Sequence, residues 1–91
     1  MPEPRIVYTY HARRRMAQRK VTKEQVEETL SEPDIPYLPG AEGEEEIAVR
    51  QYGSREIRVI FEEQKNGTLV VLTVIAKPLK HIQSREEADD Q

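Results

Sequence analysis

Apolar and polar positions alternate with a period of two near both ends of the chain, and fall at helical spacing between. Ile6, Tyr8 and Tyr10 alternate with Val7 and Thr9, which predicts a short first strand, with Pro2 and Pro4 keeping the preceding segment irregular. From Tyr10 to Arg19 there is no Gly or Pro, and Ala, Arg, Met and Gln dominate, so a helix is predicted with Thr9 as its N-cap. A second helix is signalled by Thr22 and Gln25 at capping-box spacing, with Val21 and Val26 placed as a hydrophobic staple. Val26 and Leu30 share a face, and Ser31-Glu32-Pro33 ends the helix because the residue before a proline disfavours helical geometry.

Pro33 to Gly43 holds three prolines and two glycines and predicts a loop, with at most a short edge strand at Ile35–Leu38. Strand-like Ile47 to Tyr52 leads to Gly53-Ser54, a two-residue hairpin turn of type II′. Arg55 to Glu63 alternates, with Ile57, Val59 and Phe61 on one face and Arg58 and Ile60 on the other. Lys65-Asn66-Gly67 predicts a second hairpin turn. Thr68 to Ala76 is apolar on both faces and predicts a central strand covered on both sides, ended by Lys77-Pro78. The order β-α-α-β-β-β indicates an α+β domain, its two N-terminal helices packed on one face of an antiparallel sheet. Ala12, Met16, Val26 and Leu30 are expected to cover a sheet core of Ile6, Ile47, Val49, Ile57, Val59, Phe61, Val70, Leu72 and Val74. Residues 1–81 are expected to form this one domain, and the polar, acidic stretch 82–91 to be a disordered tail.

Composition narrows the chemistry. The chain has 91 residues and no cysteine, which excludes disulfides, zinc–thiolate sites, iron–sulfur clusters and cysteine nucleophiles, and points to a reducing cytoplasm. The longest apolar run, Leu69 to Ala76, is too short to span a bilayer, and no apolar segment follows the N-terminal charges as in a signal peptide, so no membrane partner is expected. The net charge of −3 conceals blocks: +6 over residues 1–23, −9 over 24–46, +3 over 47–81 and −3 over 82–91. An acidic chain argues against indiscriminate coating of nucleic acid, yet a local basic patch can still face a phosphate.

On the first predicted helix His11, Arg15 and Arg19 spread over only about 80° of the surface, forming one stripe beside Arg14 and Gln18. Such a stripe can hold an RNA phosphate with guanidinium donors and an imidazole as proton carrier. The competing expectation is that Arg15 and Arg19 pair with the acidic second helix or with Glu44–Glu46. Lys77, Lys80 and His81 form a smaller basic cluster after the last strand, and Tyr8, Tyr10, Tyr37 and Tyr52 could stack on bases or pack in the core. Glu44-Glu45-Glu46 alternates faces in a strand with no nearby His, so neither a metal nor a cofactor is expected. No GxGxxG, P-loop, HExxH or GxSxG pattern is present.

The elements His11-Ala12-x-x-Arg15-Met16-x-x-Arg19-x-Val21-Thr22, Val26-x-x-x-Leu30-x-x-Pro33, Arg58-Val59-Ile60 and Val71-Leu72-Thr73-Val74 resemble the small bacterial and archaeal domains grouped as DUF4258, over roughly residues 8–77. The element order also resembles the RelE/BrnT class of toxins, messenger-RNA-cleaving ribonucleases neutralised by an antitoxin protein. That resemblance implies RNA binding, an antitoxin-like protein partner and metal-independent cleavage, with His11 as general acid or base and Arg15, Arg19, Arg58 and Lys77 holding the phosphate. The chain departs from the toxin pattern in being acidic overall, in lacking a dense basic row on its last strand, and in its acidic end. The alternative is a non-catalytic protein–protein interaction module, or a domain that dimerises through a sheet edge.

Overall fold

The computed structural model describes residues 5–40 and 44–78. The elements are β1 (Ile6–Tyr8), α1 (Tyr10–Arg19), α2 (Lys23–Ser31), β2 (Leu38–Pro39), β3 (Glu46–Tyr52), β4 (Arg55–Glu63) and β5 (Leu69–Pro78). They form an α+β fold with one five-stranded sheet in the order β1-β5-β4-β3-β2. β3, β4 and β5 make the expected antiparallel meander, but β1 runs parallel to β5, so the sheet is mixed rather than wholly antiparallel. The short edge strand falls at Leu38–Pro39, at the end of the segment anticipated for it. The stretch 82–91, with Lys80 and His81, lies outside the described residues.

Local signals explain the helices. Thr9 Oγ1 accepts from the Ala12 N–H at 3.0 Å and donates to the Leu72 carbonyl at 3.1 Å, so one hydroxyl caps α1 and fastens its start to β5. At the other end Val21 N–H donates to the Met16 carbonyl and Lys20 N–H to the Ala17 carbonyl, a Schellman motif with Lys20 left-handed at φ 58°. The capping box of Thr22 and Gln25 is complete, and Val21 and Val26 are both buried as the staple requires. Val21 therefore closes α1 and opens α2 at once. Lys20 holds a conformation that suits glycine, so Lys20→Gly should raise stability by about 1 kcal/mol in denaturant titration. A loss of stability would show that the lysine side chain contributes more than its strained backbone costs.

Turn chemistry sets the sheet register. Tyr52 pairs with Arg55 across Gly53-Ser54, and Gly53 has φ 59° while Ser54 is not left-handed, as a type II′ turn demands. In the β4–β5 connection the Gly67 N–H donates to the Gln64 carbonyl and Gly67 has φ 90°, which makes a type I turn closed by a left-handed glycine. The pairing Ile60 to Thr73 is followed by Phe61 to Val71, leaving Leu72 as an extra residue on β5.

That bulge and the β3 register correct the expected core. The buried cluster beneath α1 and α2 joins Ala12, Met16, Val26 and Leu30 to Ala48, Ile57, Val59, Phe61, Leu69, Val71 and Val74. Pairing with the Ile57–Phe61 face places Ala48, not Ile47 or Val49, toward the helices. On β5 the inward side passes from Val71 to Val74 across the bulge, so Val70 and Leu72 do not belong to the cluster as simple alternation from Val74 had suggested. β5 lies second in the sheet rather than central, and no described element covers its outer face.

Candidate nucleic-acid interface

α1 buries Ala12 and Met16 and leaves nearly all its remaining side chains toward solvent. His11, Arg14, Arg15 and Gln18 line a small concavity of about 130 Å³ on this helix. Within it Arg15 Nε donates to His11 Nε2 at 3.5 Å, and Arg15 Nη1 donates to Gln18 Oε1 at 3.3 Å. Arg15 is half-buried, and both contacts keep its guanidinium on the His11–Gln18 side of the helix. Arg14 lies over the Tyr10 ring, 5.8 Å from its centroid.

Among the described residues no carboxylate neutralises the basic face of α1. Among the described residues the ion pairs are Arg50 with Glu28 and Arg58 with Glu56. Neither involves Arg13, Arg14, Arg15, Arg19, Lys20 or Lys23, so the expected pairing of Arg15 and Arg19 with α2 or Glu44–Glu46 is not formed. Arg19 is exposed but lies outside the concavity, and its carbonyl accepts from Arg55. Arg58 and Lys77 are not brought to α1. They share the sheet face opposite the helices, where Arg58 Nε donates to Glu56 Oε1 at 2.9 Å. Of the expected phosphate-binding set, Arg15 stands beside His11, the expected acid or base, Arg19 is farther along the same helix, and Arg58 and Lys77 face away.

Two arginines that sequence reasoning passed over are structural. Arg55 donates to the Arg19 carbonyl at 2.6 Å and to the Lys20 carbonyl at 2.7 Å, and Arg50 donates to the Glu32 carbonyl at 2.5 Å. Each guanidinium thus meets the negative end of one helix, where terminal carbonyls lack helical partners. A signal was available: both flank the Gly53-Ser54 hairpin, close to the helix ends that a two-helix layer must bring over it.

The tyrosines divide in the same way. Tyr8 donates to Glu27 at 3.2 Å, Tyr52 to Glu28 at 2.6 Å and Tyr37 to the Leu30 carbonyl at 2.5 Å, so three hydroxyls tie the sheet and loop to α2. Tyr10 is 76% exposed and alone remains beside the basic face. Burial, followed by nearby glutamates, pushes the Tyr8, Tyr37 and Tyr52 hydroxyls above the usual tyrosine range. Because the folded values are raised, their contribution to stability is complete below the ordinary tyrosine value of about 10 and is lost as pH rises through the folded values. The melting temperature should therefore fall steeply above about pH 10. A melting temperature that stays flat over the next pH unit would contradict these bonds.

Among the described residues no three His, Asp or Glu side chains gather as a metal-binding group, and no helix is long and apolar enough to cross a membrane. The model of a family described as a domain of unknown function, DUF4258, matches residues 8–76, more than half of the chain. No curated protein and no solved structure matches.

Proposed function

The chain belongs to the DUF4258 family, whose description assigns no activity, and from the surface of α1 we propose that it binds the phosphate backbone of single-stranded RNA. The observation that carries this is the basic face of α1, which pairs with no carboxylate among the described residues of a chain that is acidic overall. Guanidinium groups give bidentate contacts to phosphate, and the exposed Tyr10 ring beside Arg14 offers a stacking surface that an unpaired base can use. The similarity of element order to RelE/BrnT toxins adds an RNA partner by analogy alone.

Binding is the better-supported activity. Cleavage through the ribose 2′-hydroxyl needs a base, an acid and charge stabilisation around one phosphate. His11 is the single imidazole on α1, and Arg58 and Lys77 point away from it. In fluorescence titrations of labelled single-stranded RNA, affinity should fall with salt, and Arg15→Ala should lower the log–log slope by roughly one. His11→Ala should leave affinity nearly unchanged. An absence of RNA binding by the unaltered protein, or an Arg15→Ala slope equal to it, contradicts the proposal. An interaction module is favoured by a separate observation, a sheet face that no described element covers.

A further inference from the structure

The sheet face turned away from α1 and α2 carries Val7, Ile47, Val49, Ile60, Val70 and Ile75, and no described element lies over it. Val49 is buried by its neighbours yet stands apart from the core cluster, and Val7 is 38% exposed. We infer that this face is the contact between two copies of the chain, packed sheet on sheet about a two-fold axis through Ile60.

Three observations select a second copy. The first is charge. Arg58 and Glu62 lie two residues to either side of Ile60 on the same face of β4. A two-fold axis in the plane of the sheet, running across the strands at Ile60, sets Arg58 of each copy against Glu62 of the other. Each residue is about 6.6 Å along the strand from the axis, and aligned sheets cross at about 30°, so the lateral offset stays within reach of the two side chains. Arg58 engages Glu56 through Nε, and no described partner holds its terminal nitrogens. The second is area. The three long strands, about 4.8 Å apart and some six residues deep, with the short β1 and β2 beside them, give a footprint of roughly 370 Å² a copy, or about 740 Å² over both, the size of a weak, reversible contact. The third is that the edges are poor alternatives. β1 is three residues long, β2 is two, and beyond β2 the Asp34 N–H donates to the Val49 carbonyl while its carboxylate accepts from the Gln51 N–H. Asp34 thereby occupies the outer edge of β3 in place of another strand.

The test is sedimentation equilibrium of the full chain from about 1 to about 200 µM, a span that covers the weak dimer an interface of this size supports. The expected result is a reversible dimer. Ile60→Lys should abolish it, and Ile60→Thr, which keeps a β-branched residue on the strand, should weaken it at least about tenfold with the circular dichroism spectrum unchanged. Arg58→Glu and Glu62→Arg should each weaken the dimer, and the two together should restore it, since the swap re-forms both pairs with opposite sense. A wild-type chain that is monomeric throughout overturns the inference, as does a dimer indifferent to both Ile60 variants. A double charge swap no better than either single one overturns the two-fold arrangement.

Discussion

Val71→Asp should leave the chain unable to fold at neutral pH. Val71 is fully buried on the inward side of β5, in the cluster formed with both helices. Its main chain also pairs with both neighbours, Tyr8 on β1 and Phe61 on β4, so the site cannot move outward without parting two ladders. An unpaired carboxylate there costs about 4 kcal/mol or more, comparable with the whole stability of a domain of this size. Leu72→Asp serves as the control. Leu72 is the extra residue of the bulge and half-buried, so the change should be far better tolerated. Circular dichroism of the two variants separates them, and a folded Val71→Asp would mean that the inward face of β5 is not sealed.

Phe61→Ala should destabilise the protein by about 3–5 kcal/mol. Phe61 is the single phenylalanine of the chain and the largest fully buried side chain. It also meets the Tyr37 ring edge-on at a centroid distance of 5.0 Å, and Tyr37 in turn donates to the last turn of α2. Removing the ring therefore opens a cavity and releases the loop that leads to β2. Phe61→Leu should restore most of the loss, because volume counts for more than aromatic geometry. Equal losses for Ala and Leu in urea titration would instead assign the stability to the aromatic contact.

The helices were legible because their signals are local. Thr9, Thr22, Gln25 and the Val21–Val26 staple each act within a few residues, and all occur where the sequence places them. The two hairpins were legible for the same reason, through Gly53 and Gly67. The partner of β1 was not, because a parallel pairing between residues 6–8 and 69–71 leaves no turn residue to announce it. Nor was the inward face of β3: in isolation Ile47 and Val49 look like core, and only pairing to Ile57, Val59 and Phe61 sends Ala48 inward. The apolar pattern of β5 predicts burial on both faces, whereas among the described residues helices cover one face and the other is the surface inferred to meet a second copy.

The candidate site shows the same division. One helix carries His11, Arg14, Arg15 and Gln18, so their nearness follows from helical spacing. Grouping Arg58 and Lys77 with them required knowing which side of the sheet α1 covers, a fact set by the registers of three strands. Arg50 and Arg55 show the reverse case, basic residues whose partners are backbone carbonyls that no charge pattern reveals.

Backbone amide shifts of the ¹⁵N-labelled protein, followed as single-stranded RNA is added, locate the binding surface most directly. The account predicts changes concentrated from Tyr10 to Lys23, with the largest near His11, Arg15 and Gln18, reversed by raising the salt. Changes centred instead on Arg58 and Lys77 of the opposite sheet face, or none at any salt concentration, would contradict it.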